Sequence, residues 1–444
     1  MSASDGGGLP EQDAQTSNLL LALAKLLVVI LGVVVVAVAF HATGVLVVVL
    51  AIVAMVMLHE LGHFATAKLS GMKVTEYFFG FGPRLWAVVR GETTYGVKAL
   101  PAGGYVKIVG MTMLEDVPEE DEPRSYRQAS FPRRVLVACA GSLVHFLLAF
   151  ALLWSVFAFL GTPVPSAPTI SSLFQVDKHP GPAAVAGLEP GDAFVSVDGH
   201  PTPTFNSLTA FIASSAGKPL QVVVRRDGRL VHLVVTPATE HVATCSAGVV
   251  THHTKGEIGV ELLVTKQVSY GPFESVPKSA SEFGSLVSTT FSGLGSFFSL
   301  SGLRSFGHQV VTAGSTTAPP KACAGVPATT SSGGGSSNGQ VVSILGAVQL
   351  GSQLYSLGIS SLFVFLAFIN LFIGVVNLLP MLPLDGGHVA IAVYERIRSR
   401  RGRPYHADVA KLLPFAYVFL ALIVIVGVGA LYSNILQPVH LTGG

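Results

Sequence analysis

Residues 44–63 read GVLVVVLAIVAMVMLHELGH. The first part, residues 44–58, is an apolar run without a charged residue, and it leads directly into His59-Glu60-Leu61-Gly62-His63. On an α-helix, positions i and i+4 share a face, so His59 and His63 can hold one metal ion between their imidazoles, with Glu60 one step round. A catalytic zinc takes three ligands from the protein and leaves its fourth position to water. The motif therefore predicts two ligands of a hydrolytic zinc site inside a lipid bilayer or at its edge, and the third ligand must come from elsewhere in the chain.

The composition is that of a membrane protein. Half of the 444 residues are hydrophobic and 12% are charged, against about 25% charged in an average soluble domain. The net charge of +2 is too small to suggest binding to nucleic acid. Three cysteines, none of them in a C-x-x-C pair, argue against a disulfide framework and against a cysteine zinc site.

Four or five stretches are long enough to cross about 30 Å of hydrocarbon, which takes about 20 helical residues. They are residues 19–40, residues 44 through the histidine motif, and residues 135–160, 360–384 and 412–431. Residues 1–18 are polar and Gly-rich, which predicts disorder. A signal sequence is the alternative reading of residues 19–40, but this apolar run is longer than a typical h-region, and a retained helix over 19–41 is favoured.

Basic residues orient the spans. They concentrate in the segment after the histidine motif and in the loop between the last two spans, which predicts that both segments face the cytoplasm. The basic residues concerned are Lys68, Lys73, Arg84, Arg90, Lys98, Lys107, Arg124, Arg127, Arg133 and Arg134 in the first segment, and Arg396, Arg398, Arg400, Arg401, Arg403 and Lys411 in the second. Residues 162–353 then face outward, and the metal site lies toward the cytoplasmic side.

A second candidate site follows the fourth span, where residues 377–388 read NLLPMLPLDGGH. A carboxylate at membrane depth is costly unless it is paired or bound to a metal, so Asp385 is a site candidate. Pro380 and Pro383 break a helix, so we expect Asp385 to turn inward from an irregular stretch. His59 lies about 22 Å from the outer end of its span, and Asp385 is near the inner end of its own, so the two motifs meet at one level.

These motifs resemble the site-2 protease family of intramembrane zinc metalloproteases, in the actinobacterial type of its bacterial branch with an extracytoplasmic PDZ domain. The resemblance rests on four segments: 59–63 (HELGH), 79–83 (FGFGP), 100–105 (LPAGGY) and the pattern N-x-x-P-x-x-P-x-D-G from Asn377. It implies Zn²⁺ bound by His59, His63 and Asp385, with Glu60 as general base and Asn377 touching the substrate backbone. It also implies endoproteolysis of single-span membrane proteins, with anti-sigma factors as substrates, after a first-site protease has removed their outer part.

The chain departs from the family at one position. Family members carry G-P-x-x-N-F at the start of the third span, whereas residues 141–146 read GSLVHF and place His145 at the position of the asparagine. This histidine is an extra metal-ligand candidate, but a buried imidazole with satisfied hydrogen bonds is the favoured interpretation.

β-Structure is predicted in two places. Residues 75–109 combine Val, Tyr and Gly with turn signals, and the resemblance implies a membrane-associated β segment that unwinds substrate by strand addition. Residues 166–240 resemble a circularly permuted PDZ domain, and 220–225 and 230–235 alternate as strands around Asp227-Gly228 with a helix over 207–214 before them. This domain is either a filter or C-terminus binder for substrates or a steric cover, and the filter is slightly favoured.

The expected fold is a polytopic α-helical membrane protein: four core transmembrane helices and an extra N-terminal one, a membrane-associated β segment, and one extracytoplasmic PDZ-like α+β domain. The first half of the protease core occupies residues 44–160 and the second half 356–444. Between the PDZ-like domain and the second half, residues 241–355 hold an amphipathic helix or loop over 270–311 and a Ser/Gly linker over 329–339. Cys245 and Cys323 face the oxidising side and could pair.

Three functions remain to be weighed: an intramembrane endopeptidase in the bacterial cell membrane, a PDZ scaffold with a structural zinc, and a metal transporter. Glu60 favours the enzyme, because a purely structural site needs no carboxylate beside two ligands. A transporter would carry further ionisable groups along a pathway, and the outer halves of these spans have almost none. The lipid bilayer and single-span membrane proteins are the expected partners.

Overall fold

The computed structural model describes residues 31–32, 34–112, 115–176, 179–246, 249–313, 341–399, 405 and 407–438. The chain divides into two compact units. The helical unit comprises the described residues within 31–155, 276–313 and 341–438, and the sheet unit comprises those within 156–275.

The described helices, in chain order, are α1 (Thr43–Leu69), α2 (Phe131–Ser155), α3 (Pro182–Val185), α4 (Phe205–Ser214), α5 (Ser275–Phe297), α6 (Leu300–Thr312), α7 (Ile344–Leu357), α8 (Ile359–Asn377), α9 (Asp385–Arg398) and α10 (Leu413–Leu436). The longer strands are β1 (Val74–Arg90), β2 (Thr93–Ile108), β3 (Thr162–Leu173), β4 (Ala193–Val197), β5 (Leu220–Arg226), β6 (Arg229–Val235), β7 (Ala238–Ser246), β8 (Val249–Glu257) and β9 (Val260–Val268).

Within the described residues, four helical segments are long and apolar enough to cross a membrane. They are Thr43–Leu69, Phe131–Leu160, Ile359–Asn377 and Ala410–Leu436. Large apolar side chains on α10 are exposed, among them Phe415 at 71% and Ile425 at 66%. A surface of that kind is stable against lipid and not against water, so the four helices are consistent with the predicted membrane protein. Only residues 31–32 and 34–40 of the predicted N-terminal span are described, and they are helical through residue 39.

The fourth span ends earlier than predicted. Helix α8 stops at Asn377 and not at residue 384, because Pro380 and Pro383 lack the N–H groups that a continuing helix needs. The expectation that Asp385 lies in an irregular stretch was wrong, since Asp385 is the first residue of α9. A carboxylate in the first turn of a helix is favoured by the helix dipole, so this placement is itself stable.

Helix α2 lies at the centre of the helical unit and packs against α1, α8 and α9. Its buried contacts with α8 include Ala149 and Leu153 against Ala367 and Leu371, and α5 covers the same cluster through Phe283 and its neighbours. Small residues at these contacts let helices approach closely, which is how helices associate in a lipid environment that offers no hydrophobic drive.

Strands β1 and β2 form one curled antiparallel sheet. The first half of β1 lies in the middle of the sheet, since Tyr77 pairs with Val106 on one side and with Tyr95 on the other. Residues 93–98 pair in turn with the second half of β1, which forms the opposite edge. Residues 104–108 are therefore one free edge of this sheet. The sheet docks on α1, where the Tyr77 hydroxyl donates to the Met57 carbonyl at 2.9 Å and the rings of Tyr77 and Tyr95 pack on Phe64.

The sheet unit is built on an antiparallel sheet of strand order β9-β3-β4-β5-β6, with α4 contributing Leu208 and Ile212 to its core. The predicted hairpin is confirmed: Asp227 and Gly228 both have positive φ, as a two-residue type I′ turn requires, and join β5 to β6. Strand β9 pairs with β3, so the sheet includes residues beyond the predicted domain end at 240. The PDZ-like topology and the outward position of this unit stay predictions.

Helices α5 and α6 cover most of residues 270–311, so the helical alternative for that segment is confirmed. Its position on a membrane surface stays a prediction. The linker over 329–339, the segment 1–18 and Cys323, with its predicted pairing to Cys245, lie outside the described residues.

Glu92 joins three separate segments of the helical unit. Its carboxylate accepts hydrogen bonds from the Arg124 guanidinium at 2.7 and 2.9 Å and from Lys68, in the last turn of α1, at 2.6 Å. These hydrogen bonds, from Arg124 first and Lys68 second, lower the pKa of Glu92 from 4.5 to about 2. Because the folded pKa is the lower one, the stabilisation is complete above pH 4.5 and is lost as the pH falls toward 2.

We therefore expect Glu92→Gln to lower the thermal unfolding midpoint of the detergent-solubilised chain at neutral pH. The difference between variant and wild type should shrink as the pH falls from 4.5 to about 2, because wild-type Glu92 becomes protonated there. Unfolding followed by circular dichroism at several pH values measures this difference. A difference that stays constant down to pH 2 would contradict the assigned role.

Candidate metal centre

His59 and His63 lie on one face of α1, one turn apart, and are largely buried. Their Nε2 atoms are 3.2 Å apart. The ring of His63 is fixed from behind, because its Nδ1 donates a hydrogen bond to the Val137 carbonyl on α2 at 2.7 Å. A carbonyl oxygen only accepts, so Nδ1 carries the proton and Nε2 presents its lone pair to His59.

Asp385 brings a third donor atom to the same point from the first turn of α9. Its Oδ2 lies 3.5 Å from His59 Nε2 and 3.3 Å from His63 Nε2. Gly386 and Gly387 make this position possible, since an added Cβ at Gly387 would lie 2.8 Å from the backbone nitrogen of Leu382. The two sequence motifs, 59–63 and 377–387, therefore meet at one level, as predicted.

The three donor atoms fit a metal ion. A tetrahedral zinc with N and O ligands about 2.0–2.2 Å away places any two ligand atoms about 3.3–3.6 Å apart. The observed separations of 3.2, 3.3 and 3.5 Å match that triangle. Oδ2 of Asp385 is buried and has no hydrogen-bond partner within the described part of the chain. Lone pairs crowded in this way repel one another unless a cation lies between them, so the donor set is suited to a metal.

Two glycines let α1 and α2 approach at this level. A Cβ added to Gly62 would lie 2.9 Å from the Ala140 carbonyl oxygen, and one added to Gly141 would lie 2.5 Å from both His59 Nδ1 and His63 Nε2. Only glycine at Gly62 lets the two helix backbones approach this closely, and only glycine at Gly141 leaves room for the two imidazoles. Gly141 is therefore part of the site although it offers no ligand.

Glu60 lies beside the donor set and against the free edge of the β1–β2 sheet. Its carboxylate interacts electrostatically with His63 and Asp385 and contacts the backbone of Val106 in β2. A Cβ added at Gly104 would lie 3.3 Å from Glu60 Cγ and 3.0 Å from Met57 Sδ. The edge strand 104–108 thus passes directly over the carboxylate.

His145 lies next to the donor set but outside it. Its ring centroid is 5.0 Å from that of His59, and its Nδ1 lies 2.9 Å from Oδ1 of the buried Asn370 on α8. The amide nitrogen of Asn370 donates to the Leu366 carbonyl, so Oδ1 accepts from His145. The interpretation of His145 as a buried, hydrogen-bonded imidazole agrees with these contacts. Its partner Asn370 was not predicted, although a lone amide in an apolar span was a usable signal.

Asn377 is the last residue of α8, eight positions before Asp385 in the chain. It is half-buried. Its predicted contact with a substrate backbone stays a prediction.

Comparison with known proteins places this geometry in a family. The sequence profile described as "Peptidase family M50" matches residues 47–424. The chain belongs to peptidase family M50. The zinc metalloprotease Rip1 of Mycobacterium tuberculosis is 34% identical over 429 residues, which cover 90% of this chain and 98% of that protein. Rip1 of Mycolicibacterium smegmatis is 32% identical over 406 residues, covering 86% and 94%.

Family M50 membership and these relatives confirm the predicted resemblance to site-2 proteases and the prediction of a zinc metalloprotease. The donor triangle of two histidines and one aspartate is the group that can hold the metal.

Gly141→Ala should weaken zinc binding about tenfold or more, because the new methyl group collides with both imidazoles. Competition with a chromophoric chelator in detergent measures the affinity. Gly427→Ala is the matched control on α10, where an added Cβ meets nothing within 4 Å. Equal zinc affinity for the two variants would show that the close approach at Gly141 is unimportant to the site.

Proposed function

We propose that the protein is an intramembrane endopeptidase that cleaves single-span membrane proteins, with zinc held by His59, His63 and Asp385 and with Glu60 as general base. The observation that carries the proposal is the meeting of three donor atoms from α1 and α9 within 3.5 Å, beside one further carboxylate. A structural metal site has no use for that carboxylate, whereas hydrolysis needs a base at this position.

The chain's own residues divide the chemistry between them. Zinc, when bound, supplies a Lewis acid and makes water acidic enough to lose a proton near neutral pH. Glu60 takes that proton at its carboxylate and returns it to the leaving amine as the peptide bond breaks. Val137 holds the His63 ring in the tautomer that leaves Nε2 free, and the negative charge of Asp385 offsets part of the metal charge in a low-dielectric setting.

A substrate helix must open before its peptide bond can reach Glu60, because helical amides are already hydrogen-bonded. The edge strand 104–108 is suited to hold the opened segment, since it has a free edge and lies against Glu60. An extended peptide that pairs with this edge presents its backbone at the donor set. Asn377 is the further candidate for contact with the substrate backbone.

Anti-sigma factors are the proposed substrate class, cut after a first-site protease has shortened their outer part. The proposed location is the bacterial cell membrane, with the active site toward the cytoplasmic side. The charge pattern supports this orientation, because both basic segments lie on the same side of the predicted topology.

The sheet unit is proposed to be an extracytoplasmic PDZ-like domain that filters substrates. Its sheet order, its single long helix α4 and the motif Gly187-Leu188-Glu189-Pro190-Gly191-Asp192 support this assignment. The motif is held in place by its last residue: Asp192 is fully buried and accepts hydrogen bonds from Arg226 at 2.6 and 2.7 Å. A rigid loop of this kind is suited to present backbone groups to a peptide end.

Glu60→Gln should reduce cleavage of a reconstituted single-span substrate by about 10²- to 10⁴-fold, because the base is lost while the ligands remain. Zinc content should equal that of the wild type. Gel assays of product formation in proteoliposomes measure the rate. Cleavage at the wild-type rate by Glu60→Gln or Glu60→Ala would sink the enzymatic assignment and favour a scaffold.

Asp385→Ala should lose most of its zinc, since one of three donors is removed. Elemental analysis of the purified protein after brief dialysis against a weak chelator reports the metal content. Asp408→Ala is the matched control, an aspartate in the same part of the chain whose side chain is 53% exposed. Unchanged zinc in Asp385→Ala would remove this residue from the ligand set.

A further inference from the structure

A buried ion pair joins α2 to the helix that carries Asp385. Nη1 of Arg134, in the first turn of α2, lies 2.7 Å from Oε2 of Glu395 on α9, and the two side chains are 9% and 4% exposed. The second carboxylate oxygen of Glu395 accepts from the Ala407 N–H at 2.8 Å. Each oxygen of Glu395 therefore has a partner in a different segment.

Tyr126 completes this cluster. Its hydroxyl donates to the Arg134 carbonyl at 3.2 Å, and its ring lies 5.3 Å below the Arg134 guanidinium. The Tyr126 ring also contacts the ring of His388, with 6.3 Å between the two ring centroids. His388 lies one turn after Asp385 on α9. The cluster thus touches α9 near both of its ends.

A buried ion pair is a poor source of stability, since the cost of desolvation offsets most of the attraction. Its geometry is specific, however, and here it connects the two halves of the metal centre. Val137, which holds His63, lies three residues after Arg134 and therefore on the same face of α2. One helix face thus holds His63 directly and α9 through Glu395.

The distance between Glu395 and Asp385 along α9 explains how the ion pair can affect the metal centre. Asp385 and Glu395 are ten residues apart on α9, about 15 Å along the helix axis. A tilt of about 4° around Glu395 would move Asp385 by about 1 Å, a displacement large enough to spoil a donor triangle.

We propose that Arg134 and Glu395 are positioning residues for the metal centre: their ion pair fixes α9 on α2 and so sets Asp385 against His59 and His63. The inference rests on the proposed ligand set. It goes beyond that ligand set because it assigns a function to two charged residues that are not themselves ligands.

The test separates positioning from stability by removing both charges at constant volume. In the double variant Arg134→Met/Glu395→Gln, the glutamine oxygen can still accept from Ala407, and removing both partners together leaves neither charge buried without its counterion. We expect the thermal midpoint of the metal-free protein to stay near that of the wild type, while the zinc dissociation constant rises about tenfold. Chelator competition and circular dichroism on the full chain in detergent supply the two measurements.

Four companion variants make the outcome decisive. Arg134→Lys keeps the cation and should bind zinc more tightly than Arg134→Met; equal losses in these two would overturn the proposal. Glu122→Gln breaks the ion pair with Arg127, away from α9, and should leave zinc affinity unchanged. Asp385→Ala supplies the reference loss for a missing ligand.

The results distinguish two failures. If Asp385→Ala binds zinc weakly and the double variant binds it as the wild type does, the positioning role is wrong and the ligand set stands. If Asp385→Ala itself keeps full affinity, the ligand set fails and the positioning proposal falls with it. A double variant whose loss of zinc affinity is matched by Glu122→Gln would also overturn the proposal, because the loss would then not depend on the pair that holds α9.

Discussion

Three lone-pair donors, two imidazole nitrogens and one carboxylate oxygen, face one another within 3.5 Å at the centre of the helical unit. In a low-dielectric interior such a cluster is unfavourable by itself and becomes favourable with a cation between the donors. The rest of the helical unit depends on this constraint, because the donors come from segments more than 300 residues apart in the chain. Helices α1 and α9 must each be fixed against a common support, and α2 is that support.

The support works through small residues and backbone groups. Gly62 and Gly141 bring α1 and α2 so close that the imidazoles lie directly over the α2 backbone, and the Val137 carbonyl fixes the His63 ring. Helices in lipid gain nothing from excluding water, so close packing and buried polar contacts decide how they associate. The His145–Asn370 hydrogen bond extends the same arrangement to α8. A site built on three packed helices keeps its donor atoms in place better than one built on loops.

Much of this could be predicted from the sequence, for identifiable reasons. The i, i+4 spacing of His59 and His63 and the cost of a carboxylate at the expected depth of Asp385 are local signals, and their joint occurrence makes chance improbable. The end of α8 and the start of α9 were harder, because proline reports where a helix breaks but not how soon the next one begins. The Arg134–Glu395 pair and the Asn370–His145 hydrogen bond are contacts between helices that are far apart in the chain. A single sequence does not show which residues of two helices face each other. Strand β9 was missed because it returns to the sheet after a long intervening hairpin, and periodicity does not reveal the partner of a strand.

The arrangement of Glu60 has a consequence for specificity. The proposed base and the proposed substrate-holding edge are tied to the same helix, since the β1–β2 sheet docks on α1 through Tyr77 and through the Glu92–Lys68 ion pair. An edge strand recognises backbone groups that every extended peptide presents, so it discriminates poorly between sequences. If substrates bind in this way, selection must come before pairing: from the ease with which a substrate helix unwinds, and from whatever controls its access to the edge. In such a protease the metal centre determines that cleavage is possible, while the stability of the substrate helix and its access to the edge determine which membrane proteins are cut.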